Sequence, residues 1–300
     1  MKVWRQFYIN LYTNDNRSFY LSVLRVGISL WLIKEMLINW PYLGMIYGSD
    51  SFVEVSNNKL FSLARLDVQV LREHYQWLIG MYAILLFFNL LGIGRQFTAL
   101  LVFLFTEMFF RMNIYTGHGG MYMCRFILLY LSIGNSYRYF ILFKRKQPRS
   151  PGREQLSVFF TNIAAGCIML HVCIAYFSGA IVKMQSPAWQ QGIAVYNIFA
   201  GDRFNGTGYN NQLAHYGWLM KSIAWYTIVY EFAFPLFVWV NKMRTIMIIM
   251  GILLHTGIYF MMMIYGFQEV FLLTFGLFFT NKEWCSLLRK FRINITPAAV

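Results

Sequence analysis

Residues 156–183 read LSVFFTNIAAGCIMLHVCIAYFSGAIVK, and no Asp, Glu, Lys or Arg stands between Glu154 and Lys183. A helix needs about 20 apolar residues to cross the hydrocarbon core of a bilayer, and this run exceeds that. The expectation is a membrane helix over 156–180 that closes on a lone cation, Lys183. Seven more apolar segments follow the same reading: 19–38, 76–91, 97–115 and 121–143 before it, and 218–240, 245–264 and 267–280 after it. The last is short and could tilt, re-enter or lie half-buried in the bundle, and a count of seven spans would move the C-terminus across the membrane. The fold class expected is all-α, a polytopic transmembrane helical bundle of about eight spans. A single domain over 19–280 is expected, with a cytoplasmic N-terminal segment at 1–18 and a cytoplasmic tail at 281–300.

Composition excludes an ordinary water-soluble domain. The 300 residues are 58% hydrophobic and 13% charged, where a soluble domain carries about 25% charge. Aromatics reach 19%, with many Trp and Tyr near segment ends, the place where such rings settle among lipid headgroups. A net charge of +14 would suit a nucleic-acid partner, but the bases are split among short loops between apolar runs. No nucleic acid is therefore expected, and the basic surplus is read as topogenic. Cys124, Cys167 and Cys173 lie inside apolar stretches and Cys285 follows the last one, with no CxxC or Cys/His metal spacing. No disulfide and no metal are expected. Residues 1–18 lack a compact apolar h-region and a cleavage site, so the first helix is expected to act as an uncleaved signal anchor.

Alternate loops fix the orientation. One set holds Lys2, Arg5, Arg17, Arg95, Lys144, Arg145, Lys146, Arg149, Arg153, Lys242, Arg244, Lys282, Arg289, Lys290 and Arg292. The other holds only Lys59, Arg65, Arg72, Lys183 and Arg203, three of them among acids. The richer set belongs in the cytoplasm, as do both termini if there are eight spans. On the outer side fall a long loop at 42–75 with an amphipathic helix near 60–71, a tight Gly-His-Gly-Gly connection at 117–120, a long loop at 181–217 and a short one at 265–268. The linker KRKQPRSPGREQ at 144–155 separates two four-helix halves that share no sequence repeat.

Ionisable groups inside apolar segments are costly, and they normally face a bundle interior or a wet cavity. Lys34 and Glu35 lie near the outer end of the first segment and are read as snorkelling. Glu107 and Arg111 are four apart, share a helix face, and are expected to form a structural ion pair. Arg125 could neutralise Glu107 or Glu231, or hold an anionic group. His171 reads as a hydrogen-bonded core residue, while His255, flanked by Gly251 and Gly257, is more suggestive. Glu231 stands one turn before Pro235, which frees a backbone carbonyl and marks either a site or a satisfied kink. Lys183 reads either as a snorkelling cation or as a partly desolvated amine whose neutral form is a base. His118, between glycines on the same outer side, reads as a polar turn residue.

The stretch Tyr176-Phe-Ser-Gly-Ala-Ile-Val-Lys183, with Trp189 and Gly192 after it, resembles a motif of the HTTM family, the vitamin K-dependent gamma-carboxylase-like membrane domains. The order Glu231, Arg244, His255 and the segment 113–131, with Gly-His-Gly-Gly ahead of Arg125, are similar to further motifs of that family. The likeness runs from the first apolar segment to about residue 280. It implies that Lys183 is the base that deprotonates a quinone-like apolar cofactor and that His118 transfers a proton. It also implies that His255, Glu231 and Arg125 orient substrate or balance charge. Full carboxylases carry a large β-rich extracytoplasmic region, and their Lys-to-Trp spacing is one residue shorter. This sequence is closer to the short SdpB-like forms, associated with maturation or export of small antimicrobial peptides. The resemblance implies a membrane-embedded enzyme acting on a peptide or lipid. Two other readings stand beside it: a non-catalytic partner that escorts a small secreted peptide with companion membrane proteins, and a transporter using Glu107, Arg111, Lys221 and Glu231.

Overall fold

The computed structural model describes residues 2–51, 67–143, 150–204 and 206–293. In chain order the helices among them are α1 (Lys2–Thr13), α2 (Ser18–Ile38), α3 (Leu43–Tyr47), α4 (Val68–Glu73), α5 (Tyr75–Leu91), α6 (Arg95–Met112) and α7 (Gly119–Ile133). They continue with α8 (Pro151–Gln185), α9 (Pro187–Gln190), α10 (Ile193–Ala200), α11 (Asn210–Ala214), α12 (Gly217–Phe237), α13 (Asn241–Met262), α14 (Phe267–Phe275) and α15 (Asn281–Lys290). No strand occurs among the described residues, so the chain is an all-α helical bundle.

Each of the eight apolar segments is helical, but the eight differ in their capacity to cross a bilayer. By length and hydropathy two meet the requirement, α8 and α13, with mean hydropathy 2.0 and 1.9 over their most apolar stretches. Helices α5 and α7, and α14 with its 3-10 extension to Phe278, are apolar but shorter. The count of eight full spans is therefore not reached on these criteria.

Several boundaries also move. The fourth segment, expected over 121–143, leaves the helix after Ile133. Gly134 sits so close to its neighbours that a Cβ there would meet the Ala164 Cβ at 2.7 Å and Leu21 at 3.0 Å. Beyond it, Asn135 Oδ1 accepts from the Tyr137 amide at 3.2 Å, a local turn that competes with helix. The third segment stops at Met112, where Asn113 turns the chain and accepts from the Tyr115 amide. The fifth is longer than expected because Pro151, with its φ preset for a first turn, starts the helix inside the supposed linker. It continues through Lys183, and α9, α10 and α11 interrupt what was expected to be a long loop at 181–217. Of the amphipathic helix expected near 60–71, residues 60–66 lie outside the described residues, and from Val68 the chain is helical as α4. The basic run 144–149 also lies outside them.

The chain divides into two compact units, Met1–Gly166 with Phe279–Val300, and Cys167–Phe278. In the first, α2 packs on α5 and α7, and α6 packs on both α5 and α7. Helix α5 ends in a Schellman turn: Gly92 has φ +72°, and the Ile93 amide donates to the Phe88 carbonyl at 2.8 Å. The interior of this unit is polar at its centre. Arg25 and Asn89 are fully buried, while Trp77, Ile84, Phe87, Phe97 and Leu104 face outward. In the second unit α12 packs on α10 and α13, and α13 on α14.

Candidate functional site

The second unit assembles the residues singled out around Lys183. Tyr176, Gly179 and Lys183 recur at i, i+3 and i+7 on α8 and so share one face of that helix. The Lys183 ammonium donates to Glu231 Oε2 at 2.7 Å and to Oε1 at 2.9 Å, from the last turn of α8 to the middle of α12. Gly179 makes this approach possible, since a Cβ there would meet Glu231 Oε2 at 3.0 Å and Lys183 Nζ at 3.4 Å. Trp189 of α9 lies with its ring centroid 5.1 Å from Nζ, within cation–π range. Gly192 has φ +81° and packs against α12 so closely that a Cβ would meet the Lys221 backbone nitrogen at 2.6 Å. Only glycine suits both demands.

One residue along from Glu231, a chain of buried polar groups runs through an aromatic cluster. Gln268 Oε1 accepts from His255 Nδ1, which leaves His255 Nε2 as the acceptor for the Tyr176 hydroxyl. Tyr230, Phe234, Phe271 and Phe275 surround the Tyr176 ring, with centroids from 4.7 to 6.5 Å. Lys183, Glu231 and His255 are thus gathered in one unit, the first two in contact and the third linked through Tyr176. Gln268, where the expected short loop 265–268 and the apolar segment 267–280 overlap, was not among the expected site residues; a polar residue opening an apolar run was its signal. His171 is half-buried on the same long helix.

The first unit holds the other candidates. The expected Glu107–Arg111 pair is present at 3.2 Å. Arg125 resolves its three options by pairing with Glu107, bidentate, with Nη2 to Oε2 at 2.8 Å, and its guanidinium carbon lies 3.8 Å from the Phe110 ring centroid. Glu107 therefore serves two arginines. His118 is the N-cap of α7: its Nδ1 accepts from the Gly120 amide at 3.2 Å, so the neutral ring carries its proton on Nε2. It lines a cavity of about 280 Å³ whose walls include Leu32, Ile79 and Phe109, with Glu35, Asn39, Tyr47, Thr106 and Thr116 among the polar lining. Glu35, read from sequence as a snorkelling residue, contacts Lys34 at 3.2 Å and also faces this cavity. Burial raises the Tyr47 phenol pKa, so Tyr47 stays protonated beside Thr116.

Among the described residues no group of three or more His, Cys, Asp or Glu side chains could hold a metal ion. The four cysteines are free thiols. No known family model, curated protein or solved structure matches the chain.

Proposed function

We propose that the chain is an integral membrane protein of about eight spans with cytoplasmic termini, and that it is an enzyme of HTTM type whose reactive group is the Lys183 amine. Support for a bilayer setting comes from the surfaces of the two helices that are both long and apolar enough to cross one. The apolar stretches of α8 and α13 are only 44% and 28% buried within the protein, and α13 turns Ile246, Ile249, Ile252, Leu253 and Phe260 outward. A core helix of a soluble protein would hide that surface, and lipid is the solvent that suits it.

One observation carries the enzymatic reading: a lysine amine held by both oxygens of one carboxylate, in a close approach that Gly179 permits. For the amine to act as a base its ammonium proton must leave, and Glu231, in contact with Nζ, is placed to receive it. The neutral amine then takes a proton from an apolar substrate, and Glu231 keeps Nζ in position. Trp189, whose ring lies within cation–π range of Nζ, offers an aromatic face to the quinone-like cofactor that the family resemblance implies. Such a group, when bound, would supply redox chemistry, while the chain's own residues hold and move the proton at Nζ. His255 acts through Tyr176 as a positioning group. His118 faces the cavity of the first unit.

The test compares mass spectra of secreted peptides and membrane lipids from cells carrying the wild type, Lys183→Ala or Glu231→Gln at matched abundance. Loss of a mass-shifted product in both variants is expected. Unchanged spectra would overturn the catalytic assignment and leave the escort of a small secreted peptide as the reading to pursue. Uptake by proteoliposomes that survives Lys183→Ala would favour transport instead.

A further inference from the structure

The cavity of the first unit is separate from the chemistry proposed for Lys183, and its lining specifies a ligand. Its walls come from α2, α3, α5, α6 and the turn that carries His118. A water-sized group occupies about 30 Å³, so about 280 Å³ has room for a medium-length alkyl chain against Leu32, Leu43, Ile79 and Phe109.

The polar groups mostly satisfy one another. Tyr82 and Thr106 share a hydrogen bond at 2.8 Å, and Tyr47 bonds Thr116. Asn39 donates to the Glu35 carbonyl at 2.8 Å, and His118 Nδ1 is occupied by the Gly120 amide. Glu35 differs. Lys34 contacts its Oε1, and Oε2 has no hydrogen-bond partner among the described residues. Among the described lining residues none is Lys or Arg, and the full charge they present to the cavity is the Glu35 carboxylate. A small number of polar groups in an apolar cavity fixes ligand orientation, and a carboxylate there favours a donating head while disfavouring an anionic one.

We propose that this cavity binds a medium-chain amphiphile whose hydroxyl or ammonium head donates to Glu35, with its tail along Leu32, Ile79 and Phe109. Fatty acids and other anionic amphiphiles are disfavoured by the same carboxylate. The site does not depend on Lys183 or on any reaction there.

Equilibrium binding of tritium-labelled decylamine, decanol and decanoate to the full chain in nanodiscs tests this, with empty nanodiscs as the blank and a pH at which decanoate is ionised. The wild type should bind decylamine and decanol about tenfold or more tighter than decanoate, the size of one charge-assisted hydrogen bond. Glu35→Gln should weaken decylamine binding by about tenfold and abolish the discrimination against decanoate. Met121→Trp, which fills the cavity, should remove saturable binding of all three. Equal binding of the three heads by the wild type would overturn the proposal. So would a head preference unchanged by Glu35→Gln, or saturable binding unchanged by Met121→Trp. The wild-type comparison decides the matter even where a variant fails to fold.

Discussion

Replacing Arg25 by Met should unfold the first unit far more easily, although Arg25 touches no carboxylate. Its guanidinium is fully buried and serves five backbone carbonyls. Nε donates to Ser136 at 3.1 Å, Nη1 to Asn89 and to Leu90 at 2.9 Å, and Nη2 to Tyr139 at 3.3 Å and Phe140 at 2.6 Å. Asn89 and Leu90 are at the C-terminal end of α5, where carbonyls have no intrahelical donor. The other three belong to the non-helical stretch after α7. Gly92 also donates to Asn89, so that carbonyl keeps a partner, and the other four lose the donor described for them.

Each buried carbonyl left unpaired costs about 1–3 kcal/mol. Against this, Met relieves the desolvation of a buried cation, worth several kcal/mol in the other direction. Four carbonyls left unpaired outweigh that relief by about 3 kcal/mol or more, or a melting shift of at least about 6 °C for a unit of this size. The assay is thermal unfolding of detergent-solubilised protein followed by a thiol-reactive dye, since Cys124 in this unit is fully buried. Arg25→Lys keeps the charge but loses the planar fork, so it should fall between wild type and Arg25→Met. If Arg25→Met melted within about 2 °C of wild type, the carbonyl cage would not be holding the unit together. If Lys matched Arg, charge rather than fork geometry would be responsible.

Other positions give narrower tests. Gly179→Ala should drive the Lys183–Glu231 pair apart, because its Cβ would press on Glu231 at 3.0 Å; the product signal should be lost while melting changes little. Glu107→Gln removes the carboxylate that Arg111 and Arg125 both face and should cost about 3–5 kcal/mol. Adding Arg125→Met should recover part of that loss in a double-mutant thermal cycle, and strict additivity would refute the coupling. Tyr176→Phe removes the donor to His255 Nε2 and should cost about 1–3 kcal/mol. The Tyr176→Phe, His255→Phe pair should be less than additive by thermal melting.

Much of the helix inventory was legible because run length and apolar content are local signals. All eight apolar segments are helical. The boundaries were less so, and the fourth segment shows why. Its residues 134–143 are apolar enough to extend a helix, yet Arg25, more than a hundred positions earlier, takes the carbonyls of Ser136, Tyr139 and Phe140. No window on the sequence contains both ends of that interaction. The ion pairs divide in the same way. Glu107–Arg111 follows from helical spacing alone. Arg125–Glu107 and Lys183–Glu231 cross between helices, so the right residues were named while their partners stayed open. Glu35 read as a snorkelling side chain because nothing local reveals that α3 and the His118 turn close a cavity over it.

Arg25, the two arginines on Glu107 and Lys183 are compensated in different ways, and the difference bears on where chemistry can occur. Arg25 is held by backbone carbonyls, which cannot ionise, rotate away or accept a proton, so that centre is fixed once folded. Arg125 and Arg111 share one carboxylate, and moving Glu107 would disturb two ion pairs at once. Lys183 alone among these has a carboxylate to itself, on a different helix, with a glycine between them and an aromatic ring over the amine. A one-to-one pair can exchange its proton internally and leave two neutral groups, an option that neither the carbonyl cage nor the two-arginine cluster has. On the proposed enzymatic reading the reactive pair is Lys183 and Glu231, and variants of Arg25 and Glu107 should read out as folding defects before they read out as loss of product.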